Sequence, residues 1–214
     1  MLVDQQLEHY LLETLDPKAE WEKELEDYAK ANHIPIMEPL GINFLQQMVR
    51  LKKPKRILEI GTAIGYSALQ MATAYPKASI VTIERDQIRY DEAVKNIRKL
   101  DKQEDITVLF GDALEITNQV EQYGPYDLLF IDAAKGQYQR FFEMYNQFLT
   151  EDGLIISDNV LFKGLVADTS QAANDRINKL AKKIGHYNEW LINHPTYKTT
   201  IIPLGDGIAV SVKR

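Results

Sequence analysis

The sequence predicts an α/β protein with a doubly wound, mostly parallel sheet, on two observations. From residue 56 to residue 158 short apolar runs (RILEI, SIVTIE, ITVLF, YDLLFID, GLIISD) alternate with amphipathic segments such as GYSALQMATAY. This alternation indicates parallel strands with helices on both faces. The chain then closes with YKTTIIPLGDGIAVSVKR, two β-rich runs around Asp206-Gly207, which predict a C-terminal antiparallel hairpin.

The N-terminal segment predicts a helical appendage over residues 1–34, followed by the sheet domain over 35–214. Apolar residues recur there at helical spacing, at Leu7, Tyr10, Leu11 and Leu15. After a break at LDPKAE, Asp16 is the expected N-cap of a second helix with Pro17 in its first turn. A third helix is expected from Glu38 to about Lys52.

Composition sets the class of protein. With 214 residues and 45% hydrophobic content, the chain is long enough for one well-buried domain with an appendage. No apolar run approaches the length of a membrane span, and the first residues lack the basic-then-apolar order of a secretion signal, so we expect a cytoplasmic protein with no membrane partner. The absence of cysteine excludes disulfides, thiolate metal sites and cysteine nucleophiles.

The charge is distributed unevenly along the chain. The net charge is −6, and residues 1–30 alone account for it, with nine acidic and three basic residues. A later segment is rich in basic residues, namely Lys163, Arg176, Lys179, Lys182, Lys183 and Lys198. This segment could form a basic face, or it could be the solvated surface of a helix.

The stretch EIGTAIGYSA after the first predicted strand is a candidate ligand-binding turn. Gly61 and Gly65 flank a tight strand-to-helix turn, where the missing side chains let backbone amides approach a ligand. The dinucleotide fingerprint is absent because Ala63 replaces its middle glycine. Glu59 precedes the turn, and Glu84 ends the second strand about 20 residues on, where ribose hydroxyls are usually held. A nucleoside ligand is therefore favoured over a turn kept only for packing.

Acidic and amide side chains follow the next strands. In FGDALE, Asp112 could face an adenine, or it could cap a helix with Glu115 completing a capping box, and both roles could hold together. Asp132 ends the fourth strand, and Asp158-Asn159 ends the fifth, so two carboxylates and an amide oxygen should converge at neighbouring strand ends. Such oxygen ligands suit a magnesium or calcium ion.

Together these motifs resemble a known family. EIGTAIGYSA, TIERD, GDA, DLLFIDAAKGQY and IISDNVLFKG, in this order, are similar to the cation-dependent O-methyltransferases of the catechol and caffeoyl-CoA type, which use S-adenosylmethionine. The resemblance runs from about Ile36 to the C-terminus. It is closest to the bacterial branch that methylates 5-hydroxyuridine in tRNA.

The resemblance implies a seven-stranded Rossmann-like sheet and roles for individual residues. The cofactor-binding residues would be Met37, Glu59, Gly61, Gly65, Ser67, Glu84, Asp112, Ala113 and Asp132. Of these, Glu84 would hold the ribose hydroxyls, Asp112 and Ala113 would meet the adenine, and Met37 would lie near the methyl group. The metal ligands would be Asp132, Asp158 and Asn159, holding Mg²⁺ or another divalent cation.

The implied chemistry is methyl transfer to an oxygen. The sulfonium already activates the methyl group, so the protein must align an acceptor oxygen and make it anionic. A divalent ion on the acceptor hydroxyl would lower the pKa of that hydroxyl. Lys135 would be the catalytic residue, either as base or as stabiliser of the oxyanion.

The resemblance also implies the acceptor and the partners. A catechol and 5-hydroxyuridine both present two adjacent oxygens that can chelate the ion. The predicted product is 5-methoxyuridine at the tRNA wobble position, with Phe162, Lys163 and Arg176 contacting the anticodon loop and Tyr66, Tyr138 and Trp190 as further candidates for base stacking. The alternatives are an O-methyltransferase of small catechol-like or caffeoyl-type phenols and a cofactor-binding scaffold without catalysis. The exposed apolar stripes of the N-terminal helices predict a homodimer.

Overall fold

The computed structural model describes residues 5–168, 170 and 173–214. Its helices are α1 (Gln5–Glu13), α2 (Glu20–Ala31), α3 (Pro39–Lys52), α4 (Tyr66–Ala74), α5 (Gln87–Lys99), α6 (Thr117–Glu121), α7 (Tyr138–Tyr145) and α8 (Asp175–Ile192). Its strands are β1 (Arg56–Ile60), β2 (Ser79–Glu84), β3 (Ile106–Phe110), β4 (Tyr126–Ile131), β5 (Leu149–Ser157), β6 (Tyr197–Ile202) and β7 (Ile208–Lys213). Within the described ranges, no helix combines the length and apolarity that a membrane span requires.

The strands form one seven-stranded sheet in the order β3-β2-β1-β4-β5-β7-β6. The first five strands are parallel, and β7 pairs antiparallel with both β5 and β6. The predicted fold class is therefore confirmed, and so is the C-terminal hairpin around Asp206-Gly207. Its connection runs from Ile202 to Ile208, which is longer than a two-residue turn.

Alternate residues of each parallel strand pack on opposite faces of the sheet. Ile57 of β1 belongs to a core shared with α2, α3, α4 and α5, whereas the next residue, Leu58, belongs to a core shared with α6, α7 and α8. Both side chains are at most 1% exposed. Successive side chains point to opposite faces of the sheet, and both of these are apolar, so each face needs a layer of helices to cover it.

The N-terminal helices differ in how they are covered. Leu25 and Ala29 of α2 are buried in the core of the same chain, so the apolar stripe of α2 needs no partner subunit. By contrast, Leu7 and Tyr10 of α1 are 50% and 61% exposed. The expectation that both helices require outside burial is therefore wrong for α2.

The start of α2 also differs from the expectation. The helix begins at Glu20 with Ala19 as its N-cap, not at Asp16 and Pro17. The Ala19 N–H donates to the Glu22 carboxylate at 2.6 Å, so the third residue of the helix satisfies the backbone amide of the N-cap, which is one half of a capping box.

Candidate active site

The carboxyl ends of β1 to β5 open onto a single cavity of about 600 Å³. It lies where the strand order reverses, between β1 and β4, which is where α/β sheets of this type bind ligands. Backbone hydrogen bonds hold its rim: the Asp132 N–H donates to the Ile60 carbonyl at 3.0 Å, and the Asp158 N–H donates to the Ile131 carbonyl at 3.0 Å. Residues predicted from five separate motifs therefore surround one space.

The glycine turn after β1 has the conformation that its sequence predicts. Gly61 and Gly65 have φ of 108° and 85°, in the left-handed region that favours glycine. Gly61 approaches the backbone of Asp132, and Ala63, also left-handed with φ of 47°, donates its N–H to Glu84 at 2.8 Å. The turn thus brings the ends of β1, β2 and β4 together.

Glu84 at the end of β2 is held by backbone amides. Its Oε2 accepts from Ala63, and its Oε1 accepts from Arg85 and Asp86, each at 2.9 Å. The carboxylate lines the cavity, and its oxygens have further lone pairs for a hydroxyl donor. This geometry fits the role in holding ribose hydroxyls that the sequence predicts.

Glu59 lies beneath the turn and not in the cavity wall. It is fully buried and accepts hydrogen bonds from Ser67 Oγ at 2.5 Å and from Thr82 Oγ1 at 2.6 Å. Burial raises the pKa of Glu59 to about 8. Ser67 does line the cavity, so Glu59 reaches the cavity wall only through Ser67 and not by the direct contact that we expected.

Asp112 and Ala113 line the end of the cavity where an adenine is expected. The Asp112 carboxylate accepts the Leu114 N–H at 2.9 Å and lies 3.3 Å from Arg85 Nη1. Because α6 begins only at Thr117, the alternative of a helix N-cap at Asp112 is wrong. The carboxylate forms a local turn instead.

The predicted metal ligands do meet at the opposite end of the cavity. The Asn159 amide nitrogen donates to Asp132 Oδ1 at 3.0 Å and to Asp158 Oδ2 at 2.8 Å. Burial raises the pKa of Asp132 to about 6, and burial together with the charge of Asp132 raises the pKa of Asp158 well above its usual range. The charge of Lys135 lowers both pKa values, but by less than burial raises them.

Backbone strain surrounds these ligands. Asn159, Phe162 and Lys163 all have positive φ, at 60°, 48° and 55°, although none of them is glycine. Such residues persist where the surrounding structure holds them. Here the hairpin tip does so, because the Asp206 carbonyl accepts the N–H groups of Leu161 and Phe162 at 2.8 and 3.2 Å.

Lys135 lies in the 3₁₀ turn after β4 and lines the cavity beside the acidic pair. Its Nζ lies 5.6 Å from the centre of the Phe162 ring, at a cation–π distance. Burial lowers the pKa of Lys135, and the opposing effect of Asp132 is smaller. A lysine of this kind is more readily available as a neutral amine than one on the surface.

The remaining predicted residues are divided between the cavity and other places. Met37 and Lys163 line the cavity, whereas Arg176 is exposed in the first turn of α8 outside it. Tyr66 and Tyr138 are at most 3% exposed, so neither presents a free ring for stacking. Trp190 is half-buried in a cluster with Phe142, Tyr187, His194 and Tyr197.

Several cavity residues were missed by sequence reasoning. Arg85 and Arg89 line the end near Asp112, whereas Glu38 and Asp206 line the end near the acidic pair. Asp206-Gly207 was interpreted only as a turn, yet its position next to a strand end was the available signal. Glu38 offered no signal beyond its place at the start of a helix.

The residues present fit a hard divalent cation. The part of the cavity around Asp132 and Asp158, which we call the metal end after the predicted ligands, has an excess of negative charge. It combines four carboxylates with two ammonium groups, from Glu38, Asp132, Asp158, Asp206, Lys135 and Lys163. The buried Tyr138 hydroxyl has no hydrogen-bond partner within the part of the chain that the structure describes, and burial together with the charges of Asp132 and Asp158 raises its pKa. Among the described residues no group of three or more His, Cys, Asp or Glu is arranged to hold a metal ion, so an ion would depend on the amide of Asn159, turned to present its oxygen.

The sheet order, the glycine turn after β1 and the acid after β2 define a Rossmann-like methyltransferase fold. Residues 14–214 match the sequence profile of the O-methyltransferase family, and the chain belongs to this family. It is therefore an enzyme that transfers a methyl group from S-adenosylmethionine to an oxygen atom.

Relatives and solved structures agree with this family. A caffeoyl-CoA O-methyltransferase of Stellaria longipes is 28% identical over 217 residues, covering 97% of this chain and 90% of that protein. A catechol O-methyltransferase of Niastella koreensis is 38% identical over 128 residues, 58% of each chain. A Staphylococcus aureus structure, described provisionally as a caffeoyl-CoA O-methyltransferase, has a TM-score of 0.87 at 38% identity over 92% of this chain and 93% of that one. An O-methyltransferase from Bacillus cereus in complex with SAH has a TM-score of 0.84 at 27% identity, over 98% and 97% of the two chains.

Proposed function

We propose that this chain is a divalent-metal-dependent O-methyltransferase whose acceptor carries a hydroxyl group beside a second oxygen atom. The observation that carries the proposal is the pair of carboxylates joined by the Asn159 amide, namely Asp158, which is buried, and Asp132, which is half-buried. These three residues would hold the ion, which would supply the Lewis acidity that lowers the pKa of the acceptor hydroxyl. An acceptor with two adjacent oxygens could chelate such an ion, and a monophenol could not.

The side chains of the cavity would carry out the remaining steps. Lys135 would take the hydroxyl proton or stabilise the oxyanion, because burial lowers its pKa and its Nζ is directed over Phe162 beside the acceptor end. Glu84 and the glycine turn would fix the cofactor, so that its methyl group faces the acceptor oxygen.

The first candidate acceptor is a small catechol-like or caffeoyl-type phenol. The support is that relatives of this chain are named for such compounds. One of them is the caffeoyl-CoA O-methyltransferase whose alignment covers 97% of this chain. A cavity of about 600 Å³ has the size of a small-molecule site.

The second candidate is 5-hydroxyuridine at the wobble position of a tRNA anticodon loop. It is favoured by basic side chains near the acceptor end: Lys163 lines the cavity, and Lys183 Nζ approaches within 3.9 Å of a Cβ built on Gly136, next to Lys135. A phosphate backbone crossing this rim would meet both ammonium groups. Arg176 lies further out, on the exposed start of α8.

A comparison of turnover on each acceptor decides between the two candidates. The purified protein, S-adenosylmethionine and Mg²⁺ are incubated with a catechol, with caffeoyl-CoA and with tRNA that carries 5-hydroxyuridine, and kcat/KM is compared. Higher kcat/KM for tRNA, with loss of 5-methoxyuridine from the tRNA of cells lacking the gene, supports the tRNA acceptor. Higher kcat/KM for either phenol supports the first candidate. If the protein methylates none of the three acceptors, the result would contradict the proposal.

For tRNA, the salt dependence of binding tests the basic rim. Replacing Lys163 by Gln should reduce the slope of log affinity against log salt by about one, because one phosphate contact is lost. The matched control is Lys198→Gln, at an exposed position on the edge strand β6. An unchanged slope in Lys163→Gln would remove Lys163 from the tRNA surface.

A further inference from the structure

We propose that helix α2 is a working part of the cofactor site and that Glu26 is a positioning residue that acts through Tyr66. This inference rests on the family assignment and on cofactor binding alone. It does not depend on the metal or on the identity of the acceptor.

The central contact joins α2 to the first residue of α4. Tyr66 directly follows Gly65 of the cofactor turn, lines the cavity and is 3% exposed. Its hydroxyl donates to Glu26 Oε1 at 2.7 Å, and Glu26 Oε2 accepts from Lys18 Nζ at 2.6 Å. The Tyr66 side chain, which lines the cavity, is therefore held by residues of the N-terminal segment and not by the sheet domain.

A second contact repeats this arrangement one helical turn further along α4. Gln70, which is 1% exposed, donates its side-chain amide to Glu22 Oε1 at 2.7 Å. The centre of the Trp21 ring lies 6.5 Å from the centre of the Tyr66 ring. Tyr66 and Gln70 are four residues apart on α4, and the two carboxylates that they contact, Glu26 and Glu22, are four residues apart on α2. Because residues at this spacing lie on the same face of a helix, the two contacts fix the relative position of the two helices.

The other side of α2 reaches the helix that follows β2. Glu24 forms an ion pair with Lys99 of α5. In the same helix the Asn96 side chain donates to the Ile64 carbonyl, inside the glycine turn, at 3.0 Å. Helix α2 therefore braces two helices that both support the turn at residues 61–65.

Loss of the Glu26 acceptor should change the wall of the cavity at Tyr66. The Tyr66 hydroxyl would lose the acceptor of its proton and keep only its hydrogen bond with the Gln70 side chain. An unsatisfied buried donor is unfavourable, so the ring would leave its present position and disturb the wall of the cofactor site. Because linkage is reciprocal, the factor by which α2 docking strengthens cofactor binding is also the factor by which the cofactor strengthens α2 docking.

The test measures SAH affinity by calorimetry in the full chain. We expect Glu26→Ala and Tyr66→Phe each to weaken SAH binding about fivefold to tenfold, and the double variant to be no weaker than the poorer single variant, because one interaction is lost in all three. Glu26→Gln keeps an oxygen acceptor for the phenol and should restore most of the affinity. Asp27→Ala, which removes an exposed carboxylate from the same helix, is the matched control and should bind SAH as the unmodified protein does.

Hydrogen exchange provides a readout that a purely structural contact would not move. SAH should slow amide exchange throughout α2 in the unmodified protein, and this protection should be lost in Glu26→Ala. If Glu26→Ala does not fold, the exchange of α2 with and without SAH in the unmodified protein decides the question. The proposal is overturned if SAH leaves α2 exchange unchanged, or if the single variants bind SAH within twofold of the unmodified protein.

Discussion

A Cβ atom built on Gly61 would lie 2.0 Å from the carbonyl oxygen of Asp132. This approach connects the first residue of the cofactor turn to the strand end that carries one of the proposed metal ligands. The two halves of the active site therefore share a wall of backbone, and any side chain at position 61 must displace it.

Replacing Gly61 by Ala should disturb both halves together. The backbone of residue 132 would have to move, and alanine would also be strained at φ of 108°. We expect SAH affinity to fall at least tenfold and methyl transfer to fall further, measured by calorimetry and by steady-state turnover. Gly164→Ala is the control for strain, since Gly164 has φ of 82° but no atom of the described residues lies within 4 Å of its built Cβ. Equal losses in the two variants would contradict the role of the Gly61 contact.

Removal of divalent metal should abolish methyl transfer and leave cofactor binding largely intact. The proposed ligands follow β4 and β5, whereas Glu84 ends β2. Asp158→Ala should behave in the same way, and Asp132→Ala should be no milder. Asp152→Ala, at an exposed site, is the control and should retain full turnover. Undiminished turnover in excess EDTA would falsify metal dependence.

Glu59 predicts a pH dependence of stability. Its pKa is about 8 in the folded protein and near 4.5 when unfolded, so between these values the folded state holds a proton that the unfolded state has lost. The stabilisation is present below pH 4.5 and is lost as the pH rises through 8, with a limiting slope of roughly 1.4 kcal/mol per pH unit. Denaturant unfolding of the unmodified protein and of Glu59→Gln at several pH values should show this slope only with Glu59. Parallel profiles for the two proteins would exclude an unusual Glu59 pKa.

We propose that the protein forms a homodimer through α1. Leu7 and Tyr10 are 50% and 61% exposed, and a symmetric contact would remove both from water. Light scattering at micromolar concentration should give twice the chain mass, and the double substitution Leu7→Asp with Tyr10→Asp should give a monomer. Leu51→Asp, which changes another exposed apolar residue at the end of α3, should remain dimeric. A monomer before any substitution would argue against the dimer.

Local sequence determined the fold class and most of the motif positions. Continuous apolar runs separated by amphipathic segments indicate a sheet covered on both faces, and the resulting strand order brings Glu84, Asp112, Asp132 and Asp158 to one edge. A glycine at position 61 could be interpreted because a left-handed turn restricts residue choice locally. These inferences depend on neighbours in sequence or on the topology of parallel strands.

Only the tertiary structure decided how the remaining side chains are used. Glu59 is next to the glycine turn in sequence, yet its side chain points beneath the turn, because alternate residues of β1 face opposite sides of the sheet. Asp206 reaches the metal end of the cavity because β7 inserts between β5 and β6, a pairing between segments about 50 residues apart. Glu26 meets Tyr66 across 40 residues for a similar reason. Contacts of this kind arise from the packing of whole elements, and a local pattern of residues carries no record of which distant element will cover it.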